Sequence, residues 1–235
     1  MATVVLVRHA RSTANASGVL TGRLKGVHLD ETGRSQAERA GKRLSSVPLS
    51  TLVSSPLERC KETARALAAE QPHPVRIVTD RGLVECDYGD WQGRALKELA
   101  REKLWKVIQS HPASVTFPGG EAMAAMSARA VAAVLRHDAL VEAEHGPHAV
   151  WAAVTHGDLV KALLADALGL HLDQFQRLHV DPSSMSVIRY APEASYVLQS
   201  NSHEGDLGWL APTSRRKAPR PGVVGGGAGP SGSGH

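Results

Sequence analysis

The stretch that decides the fold of this chain is ATVVLVRHARSTAN, residues 2–15. Its first six residues form an unbroken apolar and β-branched run, which is typical of a strand buried on both faces in a parallel sheet covered by helices. The run ends abruptly at Arg8 and His9. Because ligands of open α/β sheets bind at the carboxyl edge of the strands, we expect these two side chains to lie at a binding site.

An imidazole beside a guanidinium is suited to phosphoryl chemistry. A neutral His9 ring is a nucleophile, and the Arg8 guanidinium holds the oxygens of the group under attack. A pair that only solvates a loop is the alternative, since Arg-His dipeptides are common. A second apolar run, residues 149–155, also ends in a polar pair, His156-Gly157. Two buried strands that each end in His indicate neighbouring strands with both imidazoles at one edge of the sheet.

Helical and strand patterns alternate along the chain. Strands are predicted at residues 51–54, 75–78 and 149–155, and strands or a hairpin at 175–180, 184–190 and 195–200. Helices are predicted from Thr32, from a cap at Ser55 with Pro56 as the first helical residue, over 94–110, from Pro118 to about residue 144, and from Asp158 to about residue 168. Residues 10–31 are predicted as a long functional loop. This order predicts an α/β fold, a three-layer αβα sandwich whose mostly parallel central sheet is flanked by helices on both faces.

The composition is that of an ordinary globular protein, with 235 residues of which 42% are hydrophobic. We expect one domain, residues 1–211, followed by a disordered tail, residues 212–235, rich in Gly, Pro and Ser. The net charge of +4 resides in that tail, which holds four basic residues and no acidic one. A domain of near-zero net charge does not favour nucleic acid as a partner.

Cys60 and Cys86 are the only cysteines. They do not make a disulfide framework, which favours a reducing, cytoplasmic location. The N-terminal run lacks the pattern of a signal peptide, and no apolar run is long enough for a bilayer, so we expect no membrane partner. Both thiols are expected to pack as small residues, with sensitivity to oxidation as the alternative.

Three further motifs follow the first strand. They are SSPLERCKETA (residues 54–64), LVECDYGDWQG (residues 83–93) and VTHG (residues 154–157). Together with Arg8-His9, and in this order, they resemble the histidine phosphatase superfamily, in the branch similar to phosphoglycerate mutase. The resemblance spans about residues 3 to 160. It implies the fold of this superfamily and an enzymatic site.

The resemblance implies a role for each motif residue. His9 would be the nucleophile that forms a phosphohistidine, and Glu85 the general acid and base. Arg8, Arg59 and His156 would neutralise the phosphoryl oxygens, with Arg59 helped by the positive end of its helix. Further contacts to phosphate or substrate are implied for Ser12, Asn15, Thr21, Gly22 and Gly157. These cationic side chains would take the place of a metal, so neither a metal nor another cofactor is expected for hydrolysis.

The predicted function is that of a phosphatase acting on a small phosphorylated metabolite. A phosphomutase, which would need 2,3-bisphosphoglycerate as a primer, and a non-catalytic phosphate-binding protein are the alternatives. Family mutases carry Glu-Arg-His-Tyr-Gly where this chain has ECDYG, residues 85–89. The exchange removes a cation and adds an anion that would repel a second phosphate, which favours hydrolysis. The oligomeric state is left open, with a homodimer among the options.

Two residues next to His9 depart from the family pattern. Ala10 stands where Gly is usual, which narrows the backbone conformations available there. Arg11 stands where Glu is common. Its positive charge suggests an anionic substrate, and an exposed surface arginine is the alternative.

Overall fold

A computed structural model describes residues 2–203 and residue 225 of the chain. The strands are β1 (Thr3–Arg8), β2 (Leu52–Ser54), β3 (Ile77–Thr79), β4 (Val150–Thr155), β5 (Met185–Tyr190) and β6 (Ser195–Ser202). The α-helices are α1 (Thr13–Ser17), α2 (Glu31–Leu44), α3 (Glu58–Ala69), α4 (Leu96–Leu99), α5 (Lys103–Ser110), α6 (Met123–His145) and α7 (Gly157–Ala167). Short 3₁₀ helices lie at Arg81–Leu83, Gly89–Trp91, Pro112–Ser114 and Leu172–Arg177.

The six strands form one sheet in the order β3-β2-β4-β1-β5-β6. The first four strands are parallel, and β5 and β6 add an antiparallel hairpin at the side of β1. The sheet is therefore mixed, with the parallel part at its centre. β1 and β4 are direct neighbours, and their register places Arg8 opposite Thr155. The carboxyl ends of these two strands consequently open on the same edge.

The strand β1 is buried on both faces, as its sequence indicates. Val4 and Leu6 pack in the core that contains α6 and α7. Val5 and Val7 pack on the opposite face, in the core formed with α2 and α3. Helices thus cover both sides of the sheet, which confirms the three-layer αβα sandwich.

Four local predictions differ from the structure. Residues 175–180 were expected to belong to strands or a hairpin, but Leu172–Arg177 form a 3₁₀ helix that buries Phe175, and the His171 side chain caps its start by accepting the Asp173 backbone N–H. The helix expected at Ser55 begins at Glu58. The helical region 94–110 is interrupted between α4 and α5, and the one expected from Pro118 begins at Met123.

The loop 10–31 also contains a short helix, α1, which the sequence analysis did not predict. Its start is fixed by a capping box, in which the side chains of Ser12 and Asn15 each accept a hydrogen bond from the other residue's backbone N–H. Gly18 ends it with a left-handed φ of 68°. The loop is therefore a folded segment rather than an irregular connection.

Most of the predicted tail lies outside the described residues, as does the boundary predicted at residue 211. Gly225 belongs to the described part, and its backbone N–H donates to the Asp158 carboxylate at 2.9 Å. Among the helices that the structure describes, none has the length and apolarity needed to cross a bilayer.

Candidate active site

The two histidines that follow β1 and β4 lie side by side. The His9 backbone N–H donates to the Thr155 carbonyl at 2.9 Å, which continues the β1–β4 pairing beyond the last strand residues. The imidazoles of His9 and His156 are 5.3 Å apart between ring centroids and meet edge to face. Both are buried. The strand ends therefore place two imidazoles at one edge of the sheet, as the sequence indicates.

The protonation of His9 follows from its contacts. Its Nδ1 lies 2.8 Å from the Ala10 carbonyl oxygen, which only accepts hydrogen bonds, so Nδ1 carries the proton. Its Nε2 accepts a hydrogen bond from Nε of Arg59 at 3.3 Å. Burial, followed by the charges of Arg59 and Arg8, lowers the pKa of His9 well below its usual value. The ring is therefore neutral, with its lone pair on Nε2.

The Arg59 guanidinium links several parts of the site. One of its Nη2 hydrogens bonds the Gly22 carbonyl at 2.9 Å, and Nη2 also lies 3.2 Å from Nδ1 of His156. Its Nη1 is buried and has no hydrogen-bond partner among the described residues. Arg59 lies in the first turn of α3, where the helix dipole adds positive potential. A buried, unpaired guanidinium nitrogen in this position is suited to an anion.

The ring of His156 is bound on both sides. Because Nδ1 accepts from Arg59, Nε2 carries the proton and donates to Oγ of Ser55 at 2.8 Å. Burial and then the Arg59 charge lower the pKa of His156 well below its usual value. The sequence analysis assigned a positive charge to this histidine. The structure instead gives a neutral ring that contributes hydrogen bonds.

Arg8 is held at the end of β1 and is 1% exposed. Its Nη1 donates to the Val180 carbonyl at 2.8 Å, which ties the guanidinium to the segment before β5. A side chain on Gly157 would approach Arg8, since a Cβ there would lie 3.3 Å from Nε of that arginine. Because Gly157, the first residue of α7, has no side chain, the Arg8 guanidinium can pack against it.

Glu85 lies beside these groups with 3% of its surface exposed. Burial raises its pKa to about 7, and the nearby Asp158 carboxylate is the next cause. Its Oε2 is 3.8 Å from Nδ1 of His156, and its Oε1 accepts the Cys86 backbone N–H at 2.9 Å. A carboxyl group with this pKa is present in both protonation states near neutral pH, as a group that both gives and takes protons requires.

Two arginines hold the backbone of Glu85, and the sequence analysis missed both. Nε of Arg23 and Nη2 of Arg129 donate to the Glu85 carbonyl at 2.9 and 3.1 Å. The Glu121 carboxylate joins the two guanidinium groups, with contacts of 2.8 Å to Arg23 and 2.6 Å to Arg129. Charged residues from three separate segments thus fix the Glu85 loop. The Pro-Gly-Gly-Glu sequence that ends at Glu121 was the available signal.

Of the remaining predicted contact residues, two contact the central side chains and three have other partners. Gly22 and Gly157 contact the central side chains: the Gly22 carbonyl binds Arg59, its φ is +50°, and a Cβ there would collide with Gln92 and Tyr88. Ser12 and Asn15 are bonded to one another in the α1 capping box. Among the described residues, the Thr21 carbonyl accepts a hydrogen bond from the Leu24 backbone N–H.

Three neighbouring residues are explained by their surroundings. Burial raises the pKa of the Cys60 thiol to about 12 and raises that of Cys86 as well, so both are protonated and pack as small residues. Arg11 forms an ion pair with Asp30 at 2.8 Å, so its charge is already paired. This disagrees with the suggestion that Arg11 attracts an anionic substrate.

Fold and site together define an α/β protein with a buried, histidine-centred cluster suited to an anion. A model of the histidine phosphatase superfamily (branch 1) matches residues 4–203 of the chain. The chain belongs to the histidine phosphatase superfamily.

Individual relatives include both mutases and phosphatases by name. Phosphoglycerate mutase-like protein 4 of Arabidopsis thaliana is 34% identical over 166 residues, which cover 69% of this chain and 69% of that protein. Phosphoserine phosphatase 1 of Hydrogenobacter thermophilus is 30% identical over 203 residues, which cover 86% of this chain and 92% of that protein. The structure of Bacillus stearothermophilus YhfR superposes with a TM-score of 0.74 at 27% identity, covering 88% of this chain and 98% of that one.

Proposed function

We propose that this protein is a phosphatase that hydrolyses a small phosphorylated metabolite through a phosphohistidine on His9. The state of the His9 ring carries this proposal. The hydrogen bond from Nδ1 to the Ala10 carbonyl fixes the tautomer, and the low pKa keeps the ring neutral. An imidazole that is buried, oriented and unprotonated beside a guanidinium has the properties of a nucleophile toward a phosphoryl group.

In the first half of the reaction, the phosphoryl oxygens take over donors of Arg8 and Arg59, which frees Nε2 of His9. Nε2 attacks phosphorus, and the bond from phosphorus to the ester oxygen breaks. The protonated Glu85 carboxyl gives its proton to the departing oxygen, so the alcohol leaves neutral. The guanidinium groups stabilise the charge spread over the equatorial oxygens.

In the second half, water attacks the phosphohistidine. Glu85, now a carboxylate, takes a proton from that water as the bond from Nε2 to phosphorus breaks. Inorganic phosphate leaves, and both His9 and Glu85 return to their starting protonation states. A pKa of about 7 allows Glu85 to act in both directions. We propose that the reaction requires no metal, because the two guanidinium groups supply the positive charge.

Hydrolysis is favoured over intramolecular transfer by the residues after Glu85. Cys86 is buried against Met123, with 3.9 Å between the two sulfur atoms, and contributes no charge to the site. Asp87 is half-buried, and its carboxylate lies 3.4 Å from Nη1 of Arg23. Since Arg23 is shared by two carboxylates, it supplies no excess cation for the second phosphate of a bisphosphorylated intermediate. A phosphoglycerate-type mutase is therefore the second candidate.

The state of the two thiols bears on the cellular location of the protein. Two protonated, buried thiols fit a reducing compartment, and we propose a cytoplasmic enzyme. Its partner is a small phosphorylated substrate rather than a nucleic acid or a membrane. A primer such as 2,3-bisphosphoglycerate is needed only if the mutase alternative holds.

The test is to trap the covalent intermediate. Wild-type protein quenched during turnover of a labelled monoester should carry an acid-labile, alkali-stable phosphoryl group. His9→Ala should lose this label and at least about 10³-fold of its phosphate release, because no other group replaces the nucleophile. His73→Ala, at an exposed histidine before β3, is the matched control and should behave as wild type. Label that persists in His9→Ala contradicts the proposal.

Phosphatase and mutase are distinguished with the same preparation. The protein receives 3-phosphoglycerate with 2,3-bisphosphoglycerate as primer, and formation of 2-phosphoglycerate is compared with phosphate release from a good monoester. Hydrolysis should be the faster reaction. Mutase turnover well above the hydrolytic rate would make the second candidate the function.

A further inference from the structure

Asp158 is a buried carboxylate that the phosphoryl-transfer steps do not use. It lies in the first turn of α7, two residues after His156, and is 0% exposed. Its Oδ2 accepts the hydroxyl hydrogen of Tyr88 at 2.8 Å and the backbone N–H of Gly225 at 2.9 Å. Its Oδ1 has no hydrogen-bond partner among the described residues. A buried polar atom left unpaired in this way calls for an explanation, such as strain, a catalytic role or a bound water or ion.

In the part of the chain that the structure describes, the Lys161 ammonium lies close to Oδ1, and the Arg8 guanidinium is within electrostatic reach of this carboxylate. Nζ of Lys161 lies 3.9 Å from Oδ1, within ion-pair distance but beyond a hydrogen bond. The same ammonium donates to Oε1 of Gln176 at 3.0 Å. Lys161 therefore offsets part of the negative charge of Asp158 without satisfying the oxygen.

Asp158 is linked to the segment that carries Glu85, the proposed general acid. Tyr88, which donates to it, follows Glu85 by three residues, so the general acid and this carboxylate share one wall. The Asp158 charge also raises the pKa of Glu85 and opposes the lowering of that of Arg8, which places it within electrostatic reach of both. Because Glu85 would protonate the ester oxygen, the group attached to that oxygen would lie on the Glu85 side of the site, within electrostatic reach of Asp158.

We propose that Asp158 is a specificity-determining residue that favours monoesters whose leaving group carries a hydrogen-bond donor, a hydroxyl or an ammonium, and disfavours those that carry a carboxylate. The inference rests on the proposed phosphatase function. The Gly225 N–H shows that a donor from outside α7 fits against this carboxylate. A second carboxylate at the same place would face like-charge repulsion in a buried setting.

A purely structural Asp158, which only joins α7 to the Tyr88 loop, would not distinguish substrates. The decisive pair is glycerol 1-phosphate and 3-phosphoglycerate, which differ by a hydroxymethyl group in place of a carboxylate. A second pair, phosphoethanolamine and n-propyl phosphate, exchanges an ammonium for a methyl group. The first pair tests recognition of a hydroxyl group, and the second pair tests recognition of an ammonium group.

The experiment measures kcat/KM for all four esters on the full-length wild type, Asp158→Asn and Asp166→Asn. Wild type should prefer glycerol 1-phosphate over 3-phosphoglycerate by at least about tenfold, and Asp158→Asn should lower that ratio at least about fivefold. Asp166→Asn removes the same charge from an exposed position at the far end of α7 and should leave the ratio unchanged.

A ratio that is equal in wild type and Asp158→Asn, while both release phosphate, overturns the proposal and leaves the phosphatase function standing. If Asp158→Asn does not fold, the wild-type arm decides alone: no preference for a donor-bearing ester in either pair refutes the role of Asp158. Absence of phosphate release from every ester, including p-nitrophenyl phosphate, refutes the phosphatase function itself and the inference with it.

Discussion

The ends of β1 and β4 carry the same pattern and hold their histidines differently. Each strand is buried, ends in an imidazole and continues with a small residue, Ala10 after His9 and Gly157 after His156. His9 is fixed at Nδ1 by a backbone carbonyl, which leaves Nε2 directed at Arg59. His156 has the opposite tautomer: its Nε2 donates to Oγ of Ser55, and its Nδ1 accepts from Nη2 of Arg59.

The difference assigns different work to two rings that the sequence presents as equivalent. A nucleophile needs one nitrogen with a lone pair that substrate can reach, and the tautomer of His9 provides it. The lone pair of His156 instead lies on Nδ1, which is bonded to Arg59 and lies near Glu85, so this ring orients the groups that act on the substrate rather than attacking phosphorus. Covalent chemistry is therefore expected at the end of β1 alone.

The largest effect should come from replacing each imidazole by an amide. His9→Asn should abolish the covalent label and reduce phosphate release by at least about 10³-fold. His156→Asn should retain the label and lose about 10²-fold in kcat, because the imidazole that orients the Arg59 guanidinium is lost. Quenched-flow labelling of both variants measures the two quantities. If His156→Asn abolishes the label and His9→Asn does not, the assignments are reversed.

Glu85 lies between the two strand ends, and its raised pKa makes a distinct prediction. For an alkyl monoester, kcat/KM should fall above about pH 7, because the proton needed by the leaving oxygen is lost there. Glu85→Gln should lose about 10²-fold on such esters and should show no fall on that limb. With p-nitrophenyl phosphate, whose leaving group needs little protonation, the loss should be smaller. An unchanged alkaline limb in the variant contradicts the assignment.

The same pKa shift predicts a change in stability. Between about pH 4.5 and 7, folded Glu85 holds a proton that the unfolded chain has released, so raising the pH through this range destabilises the native state. Glu85→Gln removes this pH-dependent contribution to the free energy of unfolding. The variant should match wild type near pH 4.5 and exceed it at pH 8 by roughly 1–3 kcal/mol in the free energy of unfolding. Denaturant titrations at both pH values measure the difference in unfolding free energy between the variant and wild type. A difference that is the same at pH 4.5 and pH 8 would argue against the raised pKa of Glu85.

The sequence predicts the strand ends well and their contacts poorly. An apolar run that stops at a polar pair indicates a strand and its edge from local information alone, which is why the placement of both histidines could be predicted. The partner of His156 could not be found in this way. Ser55, 101 positions earlier in the chain, has the local pattern of a helix cap, and only the packed structure shows its hydroxyl against the imidazole.

The residues that hold Glu85 were missed for the same reason. Arg23, Glu121 and Arg129 come from a loop and from the two sides of the start of α6, and each alone resembles an ordinary surface charge. Asp158 was noted only as the expected start of a helix. Charge networks of this kind depend on tertiary contacts, whereas the periodicity of a sequence reports which residues share the face of one element.

Two hydroxyl groups allow the comparison of the strand ends to be made finer. Ser55 bonds the His156 ring itself, whereas Oγ1 of Thr63 accepts the backbone N–H of Ala10 at 3.1 Å and makes no hydrogen bond to the His9 ring among the described residues. Ser55→Ala and Thr63→Val should each destabilise the protein by about 1–2 kcal/mol, because each leaves a buried group unpaired. Ser55→Ala should also lower kcat about three- to tenfold, which Thr63→Val should not. Equal losses of kcat would mean that the hydroxyls act only through stability.

The smallest effect is expected at Arg11, two residues past His9, where the strand ends differ most in charge. Asp158 at the end of β4 is fully buried, but Arg11 at the end of β1 is half-exposed and paired with Asp30, with side-chain exposures of 32% and 17%. Exposed pairs contribute about 0–1 kcal/mol and weaken in salt. Arg11→Gln should therefore change the unfolding free energy by less than about 1 kcal/mol, since Asp30 keeps its cap on α2 through Gly33.

The kcat/KM ratio of Arg11→Gln between 2,3-bisphosphoglycerate and a singly phosphorylated ester should stay within about twofold of wild type, because the Arg11 charge is already compensated. A larger fall in the rate with the bisphosphate would show that Arg11 leaves Asp30 to meet an anionic substrate.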